Sequence, residues 1–96
     1  MIATFANTST QTERIWNALR SRHVPGDIQA RALRKLGLLN RARSLDDLRN
    51  PPGNGLHPLK RDRTGQHAIW INDQWRICFV FKDGNAYDVE IVDYHD

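Results

Sequence analysis

The last eight residues, VEIVDYHD, run from a strand-like segment into an acid, a tyrosine, a histidine and a second acid. A second polar group lies upstream in LHPLKRDR, which carries His57, Lys60, Arg61 and Arg63. Metal-free cleavage of RNA needs a base for the 2′-hydroxyl, a cation for the phosphorane charge, and an acid for the leaving oxygen. Histidine, lysine and arginine supply these roles near neutral pH, so we expect the two groups to converge. The alternative is that the final residues are only a solvated tail.

The residue types support a catalytic set of five. The set consists of His57, Lys60, Arg76, Tyr94 and His95. Strict strand alternation would turn His95, together with Asp93, towards the helix-covered side, unless the last residues curl past the sheet edge. Arg61 and Arg63 are interpreted as general phosphate or solvent contacts rather than catalysts.

The remaining histidines and the single cysteine are interpreted as structural. By strand alternation His67 faces the core, and His23 follows a predicted helix end, where an imidazolium suits free carbonyls. Cys78 lies inside a strand-like run as a small filler and has no disulfide partner. These residues show no metal-ligand spacing, so we expect neither a metal nor another cofactor.

Two helices are predicted in the first half of the chain. Ile2 to Phe5 precedes them as a short strand, and the capping box Thr10–Glu13 begins the first helix. The second helix begins near Asp27. The predicted buried residues are Ile15, Trp16 and Leu19 in the first helix and Ile28, Ala32, Leu33, Leu36 and Leu39 in the second, with Arg31, Arg34 and Lys35 exposed. Ser44–Asp47 predicts one further capped turn, and NPPGNG a loop.

From Leu56 onward the period changes to two, and HAIWI, QWRICFVF and AYDVEIV are predicted to be antiparallel strands. A loop of residues 72–74 pairs Ile69 with Ile77. A loop of residues 83–85 pairs Ile77 with Ile91 and Phe81 with Tyr87. One face then holds Ile69, Ile71, Trp75, Ile77, Phe79, Val89 and Ile91, and the other holds Trp70, Arg76, Cys78, Glu90, Val92 and Tyr94.

These patterns predict a single α+β domain over residues 1–96. Two helices pack on one face of an antiparallel sheet of about four strands, and the other face is open. On that open face Trp70 and Arg76 are cross-strand neighbours, within reach of a cation–π contact. We expect the Trp70 ring to offer RNA bases a stacking surface; the alternative is that it leans over Cys78 or against NPPGNG.

Composition indicates the kind of partner. All 14 Lys and Arg residues lie within residues 1–82, which hold only 6 of the 11 acids. Such an excess of positive charge favours RNA or an acidic protein, although a basic surface without a specific partner is also common. No apolar run is long enough to span a membrane, and no signal peptide is evident. We expect a cytoplasmic protein.

The segments PPGN, LKRDRTG, INDQWRICF and VEIVDYH, in this order, resemble the HigB toxins of the RelE superfamily, also called plasmid maintenance system killer proteins. The resemblance spans essentially the whole chain and includes the predicted fold. It implies a bacterial toxin of a type II toxin–antitoxin pair that cuts mRNA in the ribosomal A site. The implied partners are the ribosome and a HigA-like helix-turn-helix antitoxin, through which alone the toxin would meet operator DNA.

The resemblance also implies site residues. They are His57, Lys60, Arg76, Asp93, Tyr94 and His95. Lys60 and Arg76 would hold the phosphate, and Tyr94 would stack on or orient the substrate. The histidines would transfer protons, with Asp93 orienting a neighbouring base.

Two positions depart from the family pattern. Related chains often read SIRIND where this chain has residues 68–73, so Trp70 replaces an arginine. Many also read LKGDR, with glycine in place of Arg61. Two rival hypotheses therefore stay open: a degenerate toxin that binds RNA, ribosome or antitoxin without cutting, and an interaction module whose basic surface serves only the antitoxin.

Overall fold

The computed structural model describes residues 1–7 and 10–93, in which two helices pack on one face of a four-stranded antiparallel sheet. The elements are α1 (Thr10–Trp16), α2 (Gly26–Arg41), β1 (His57–Pro58), β2 (His67–Trp70), β3 (Trp75–Lys82) and β4 (Asn85–Asp93). The strands lie in chain order across the sheet, and each is antiparallel to the next. This is the predicted fold class. In these two described ranges, no helix is long and apolar enough to cross a membrane.

The N-terminal segment runs parallel to β4 and extends the sheet on that side. Ile2 forms a bridge with Ala86, and Phe5 forms one with Val89. The Asn40 side chain of α2 accepts a hydrogen bond from the Ile2 backbone N–H at 2.9 Å. The predicted first strand is therefore present as two isolated bridges, and the one at Ile2 is also tied to α2.

The first helix begins at Thr10, as predicted, but ends before its apolar stripe does. The N–H groups of Ala18 and Leu19 donate to the carbonyls of Ile15 at 2.9 Å and Arg14 at 2.8 Å. Ala18 has a φ of 59°, the left-handed conformation of a Schellman helix end. The prediction that Leu19 is buried was wrong, because the chain leaves the helix first and Leu19 stays 50% exposed.

The second helix packs its predicted stripe against the sheet. Its buried residues are Ile28, Ala32, Leu36 and Leu39. Leu33 was also predicted to be buried but is only half-buried, since it lies roughly 100° around the helix from the stripe's centre. Lys35, predicted to be exposed, is half-buried because its ammonium reaches the Asn54 side-chain oxygen at 2.5 Å.

The β3–β4 hairpin keeps the predicted register in one half only. Ile77 pairs with Ile91, as predicted. Nearer the turn, Phe81 pairs with Ala86. The predicted pairing of Phe81 with Tyr87 was therefore wrong by one residue.

A bulge and a tight turn explain this difference. The turn residues Asp83 and Gly84 have φ values of 52° and 79°, and a type I′ hairpin turn requires positive φ at both positions. The register shifts between Cys78 and Val80, where Asp88 of β4 has a φ of 54°. The extra residue in β4 permits the two-residue turn without turning the apolar residues beyond it to the wrong face.

The helix-covered face forms the core, as the strand alternation predicted. Ile69 lies opposite Ile77, and all the residues predicted for this face are buried or packed against buried ones. The Thr12 hydroxyl of α1 accepts a hydrogen bond from the Ile91 N–H at 2.9 Å. Burying each large apolar side chain contributes about 1.5–3 kcal/mol, so this face supplies most of the stability.

The opposite face has a small apolar cluster of its own, apart from α1 and α2. Leu59, from the segment after β1, packs with Ala68 and Cys78, and Val92 lies against them. Neither α1 nor α2 covers this face, as predicted, but Leu59 and its neighbours cover part of it. The covered strip makes a buried floor beneath the polar residues around it.

Candidate active site

Arg76 and Trp70 lie together on the face opposite the helices. They are cross-strand partners, and the Arg76 guanidinium carbon lies 4.6 Å from the Trp70 ring centroid, which confirms the predicted cation–π contact. Arg76 Nη1 also donates to the backbone carbonyls of Asn72 and Trp75. The prediction that Arg76 is an open position was wrong, because only 9% of it is exposed. Its removal would disturb packing as well as charge.

The Trp70 indole packs against the NPPGNG loop, residues 50–55. A Cβ atom added to Gly55 would lie 2.8–2.9 Å from three indole atoms, so the ring rests directly on this glycine. Trp70 is still 39% exposed. The ring therefore leans against NPPGNG, which was the alternative to a free stacking surface. Part of the ring surface still remains available for an RNA base.

His57 begins β1 and pairs with Ala68 of β2. Its Nδ1 atom lies 2.8 Å from the Gly55 carbonyl oxygen. A carbonyl can only accept, so Nδ1 carries the proton in this hydrogen bond, and the neutral ring keeps its lone pair on Nε2. His57 Nε2 is thus the nitrogen able to take a proton from a substrate.

The turn after β1 places three cations in different settings. Lys60 is exposed, and within residues 1–7 and 10–93 its ammonium has no hydrogen-bond or ion-pair partner. Arg63 donates to the Glu90 carboxylate at 3.0 Å and to the Gln66 side chain at 3.1 Å. A phosphate contact by Arg63, as predicted, would have to compete with Glu90. Arg61 is exposed and points to no fixed partner in that part of the chain.

Arg61 adopts a left-handed backbone conformation, with a φ of 58°. A residue with a side chain is strained there by roughly 1–2 kcal/mol, whereas glycine is not. The related pattern LKGDR has glycine at this position, and the backbone gives the physical reason.

Asp93 is the last residue that the structure describes. It pairs with Trp75 and accepts a hydrogen bond from the Gln74 side chain at 3.1 Å. Tyr94 and His95, both predicted to be catalytic, lie outside the described residues, so their roles stay predictions.

Trp70, Arg76 and His57 occupy different parts of the same face, whereas Asp93 pairs with Trp75 of the helix-covered face, as strict strand alternation predicted. Trp70 and Arg76 share one row across the sheet, and His57 lies in the row of Ala68, two residues or roughly 7 Å along β2. Lys60 follows the end of β1, near where β2 begins, whereas Trp70 is where β2 ends. The Lys60 and Arg76 side chains must therefore extend towards each other to hold one phosphate.

The other two histidines have different outcomes. His67 pairs with Phe79, with ring centroids 6.5 Å apart, which confirms its packing role. Burial, and then the nearby charge of His57, lower the pKa of His67. The interpretation of His23 as a helix-end residue was wrong, because α1 already ends at Trp16 and His23 is exposed.

Cys78 is fully buried in the floor of this face, and burial raises the pKa of its thiol. A thiol in this state is a poor nucleophile, in agreement with its interpretation as a filler. In residues 1–7 and 10–93, no group of three or more His, Cys, Asp or Glu side chains is arranged to hold a metal ion.

Two residues of the NPPGNG loop, Asn54 and Gly55, were not indicated by the sequence patterns as parts of the site. Asn54 is fully buried, and its amide donates to the carbonyls of Leu48 and Asn50 at 3.2 Å each. Its side-chain oxygen accepts from Lys35. The available signal was the Asn-Gly pair Asn54–Gly55, which is typical of turns with positive φ.

Comparison with known proteins identifies the family of this chain. Residues 8–95 match the family described as RelE-like toxin of type II toxin-antitoxin system HigB. Toxin HigB-1 of Vibrio cholerae serotype O1 is 39% identical over 67 residues, which are 70% of this chain and 70% of that protein. Endoribonuclease HigB of Proteus vulgaris is 50% identical over 40 residues, which are 42% of this chain and 44% of that protein.

Solved structures share the fold at low sequence identity. The YoeB–YefM complex from Staphylococcus aureus has a TM-score of 0.63 at 13% identity, and the match covers 100% of this chain and 99% of that one. A mutant of YafQ from E. coli has a TM-score of 0.59 at 13% identity, over 95% and 91% of the two chains. These likenesses concern the fold alone. The family match over residues 8–95 and the two HigB relatives establish that this chain belongs to the HigB family of RelE-like toxins from type II toxin–antitoxin systems.

Proposed function

We propose that this toxin is an endoribonuclease that cuts mRNA in the ribosomal A site and thereby inhibits translation. The proposal rests above all on the Arg76 guanidinium, held 4.6 Å from the Trp70 ring centroid on the face opposite the helices. The name Endoribonuclease HigB, carried by the Proteus vulgaris relative, supports the same activity.

In this proposal the side chains supply all the chemistry without a metal. The 2′-oxygen attacks the phosphorus as its proton moves to a histidine, for which His57 Nε2 is available. Arg76 and Lys60 stabilise the charge of the phosphorane. His95 then protonates the 5′-oxygen as the P–O bond breaks. The products are a 2′,3′-cyclic phosphate and a 5′-hydroxyl.

Further residues position the substrate in this mechanism. Tyr94 stacks on or orients the RNA, and Asp93 orients a neighbouring side chain that acts as the proton acceptor. Trp70 and Arg61 contact the bases and the phosphates. Arg63 contributes to the basic surface while it remains bonded to Glu90.

The proposed partners follow from the same account. The excess of Lys and Arg in residues 1–82 suits the ribosome and its mRNA. A HigA-like helix-turn-helix antitoxin holds the toxin in check and carries it to operator DNA, and the toxin acts in the bacterial cytoplasm, where translation takes place.

One observation favours a second candidate, a toxin homologue that binds RNA, ribosome or antitoxin without cutting. Trp70 stands where related chains often have arginine, and its indole already contacts Gly55 and Arg76. A site with one cation fewer stabilises a phosphorane less well.

Induced expression, followed by mapping of RNA 5′ ends, separates these candidates. The proposed enzyme arrests growth and produces new, discrete ends within translated mRNA. A binding homologue slows translation without new ends, and an interaction module does neither. Growth arrest without new ends would contradict the proposed cleavage.

A further inference from the structure

We infer that Gly55 is a positioning residue that holds both His57 and the Arg76–Trp70 pair in place for the proposed RNA cleavage. The inference rests on the proposed function for its catalytic meaning. Gly55 contacts His57 and Trp70, and both contacts can be measured without a cleavage assay.

The first contact fixes the proton of His57. The Gly55 carbonyl accepts the hydrogen bond from His57 Nδ1 at 2.8 Å. If this carbonyl turned away, the ring could take either tautomer, and Nε2 would carry the proton in part of the molecules. Gly55 thus selects the ring form in which Nε2 can act as a base.

The second contact supports the guanidinium. The indole of Trp70 occupies the space beside Gly55 where any other residue would place its Cβ atom. The Arg76 guanidinium in turn lies over that indole. A side chain at position 55 would displace the indole, and the guanidinium would then keep its bonds to backbone carbonyls but lose its contact with the ring.

The loop is rigid enough to serve this purpose because Asn54 anchors it. The Asn54 amide bonds to the carbonyls of Leu48 and Asn50, and its oxygen bonds to Lys35 of α2. Gly55 has a φ of 60°, which glycine adopts without strain. Through Asn54, Gly55 is therefore tied to α2, and Gly55 in turn contacts Trp70 on the other face of the sheet.

The test uses Gly55→Ala together with two matched glycine variants. Gly65 also has a positive φ, of 93°, but an added Cβ meets nothing within 4 Å, and the same is true at Gly53 of the NPPGNG loop. Gly65→Ala therefore measures backbone strain alone, and Gly53→Ala measures the loop alone. We expect Gly55→Ala to slow cleavage of ribosome-bound mRNA on the order of a hundredfold, as a misplaced site does. The other two variants should cut at rates close to that of the wild type.

A double-mutant cycle identifies the route of the effect. In a Trp70→Ala background the collision with the indole is absent, so Gly55→Ala should slow cleavage much less than it does in the wild type. An equal effect in both backgrounds would contradict transmission through Trp70. Equal cleavage by Gly55→Ala and Gly65→Ala would overturn the positioning role altogether.

Nuclear magnetic resonance gives a readout that does not depend on cleavage. Nitrogen-15 shifts of the His57 ring should show the Nδ1–H tautomer in the wild-type protein, and Arg76 side-chain protons should carry an upfield shift from the indole. Both signatures should diminish in Gly55→Ala. An Nε2–H tautomer in the wild type would overturn the inference, even if Gly55→Ala failed to fold. An inert wild type with both signatures present would instead contradict the proposed function.

Discussion

The two faces of the sheet are built from the same strands but hold their side chains by different means. On the helix-covered face, Ile77 and Val89 are fully buried among apolar neighbours. On the other face Arg76 is nearly as well buried, but its contacts are an indole and backbone carbonyls. The first face gains its stability mainly from buried apolar area, whereas the second surrounds a small apolar cluster with charged groups, of which Arg76 and Arg63 are held by contacts.

Because of this difference, substitutions on the two faces should affect folding and activity separately. Residues of the helix-covered face contribute area, so their loss unfolds the chain and removes activity only indirectly. In the proposed mechanism, charged groups of the other face stabilise the transition state, so the loss of an exposed one should remove activity without unfolding. Arg76 belongs to both categories, because it is charged and buried.

The largest effect on stability is expected from the core. Phe79→Ala should lower the free energy of unfolding by about 3–5 kcal/mol, since it removes a fully buried ring. Val92→Ala, on the opposite face, should lower it by only about 1 kcal/mol. Urea denaturation measures both. Equal losses would mean that the two faces contribute alike to the fold.

Lys60→Ala should lose activity while keeping stability. Loss of transition-state charge stabilisation typically lowers the rate by a factor of about 10²–10³. Exposed Lys82, at the end of β3 and away from the proposed site, supplies the matched variant Lys82→Ala. Single-turnover cleavage and thermal melting are the measurements. If the two lysine variants cut equally well, Lys60 takes no part in the chemistry.

Arg76→Ala is expected to combine both losses. It should abolish cleavage as Lys60→Ala does, and it should also lower the melting temperature, because the side chain is buried and bonded. Antitoxin pull-down shows whether the variant still folds. A melting temperature equal to that of the wild type would mean that Arg76 is not packed as described.

Substitutions of Trp70 test whether this residue contributes mainly to activity or mainly to the stability of the fold. Trp70→Ala should weaken killing, since each base–aromatic stack contributes roughly 1–3 kcal/mol, and it removes the support of Arg76. Trp70→Arg should fold and kill better than Trp70→Ala, because it restores the charge common in related chains at a position that is 39% exposed. Growth assays after induction compare them. Unfolding of Trp70→Arg would show that the contact with Gly55 makes Trp70 part of the core.

The smallest effect concerns backbone strain. Arg61→Gly should raise the free energy of unfolding by up to about 1 kcal/mol, because glycine relieves the strain at a φ of 58° but is more flexible when unfolded. Arg49→Gly, an exposed residue within the 3-10 turn Leu45–Arg49, should instead be destabilising. Urea denaturation of both variants measures the two changes in the free energy of unfolding. A destabilised Arg61→Gly would mean that the Arg61 side chain makes a stabilising contact.

Much of this arrangement was predictable from the sequence, because alternation along the strands decides which side chains share a face. The pairing of Trp70 with Arg76 followed from it directly. The bulge at Asp88 could not be predicted in this way, because a positive φ at one aspartate does not change the alternation of apolar and polar residues in the sequence. The burial of Arg76 depends on its contact with the Trp70 indole, which itself packs against the distant Gly55, and this is a tertiary contact. The roles of Asn54 and Gly55 were missed for the same reason.

The chemistry of the cut RNA ends distinguishes the proposed 2′-hydroxyl attack from other routes of cleavage. Purified toxin is incubated with mRNA on ribosomes and, separately, with the same RNA free in solution, and the 3′ ends of the products are analysed. Magnesium stays present throughout because ribosomes require it, so the ends rather than the metal requirement report the mechanism. Attack by the 2′-hydroxyl predicts a cyclic phosphate or a 3′-phosphate, formed only on the ribosome. Products that carry a 3′-hydroxyl would contradict the account.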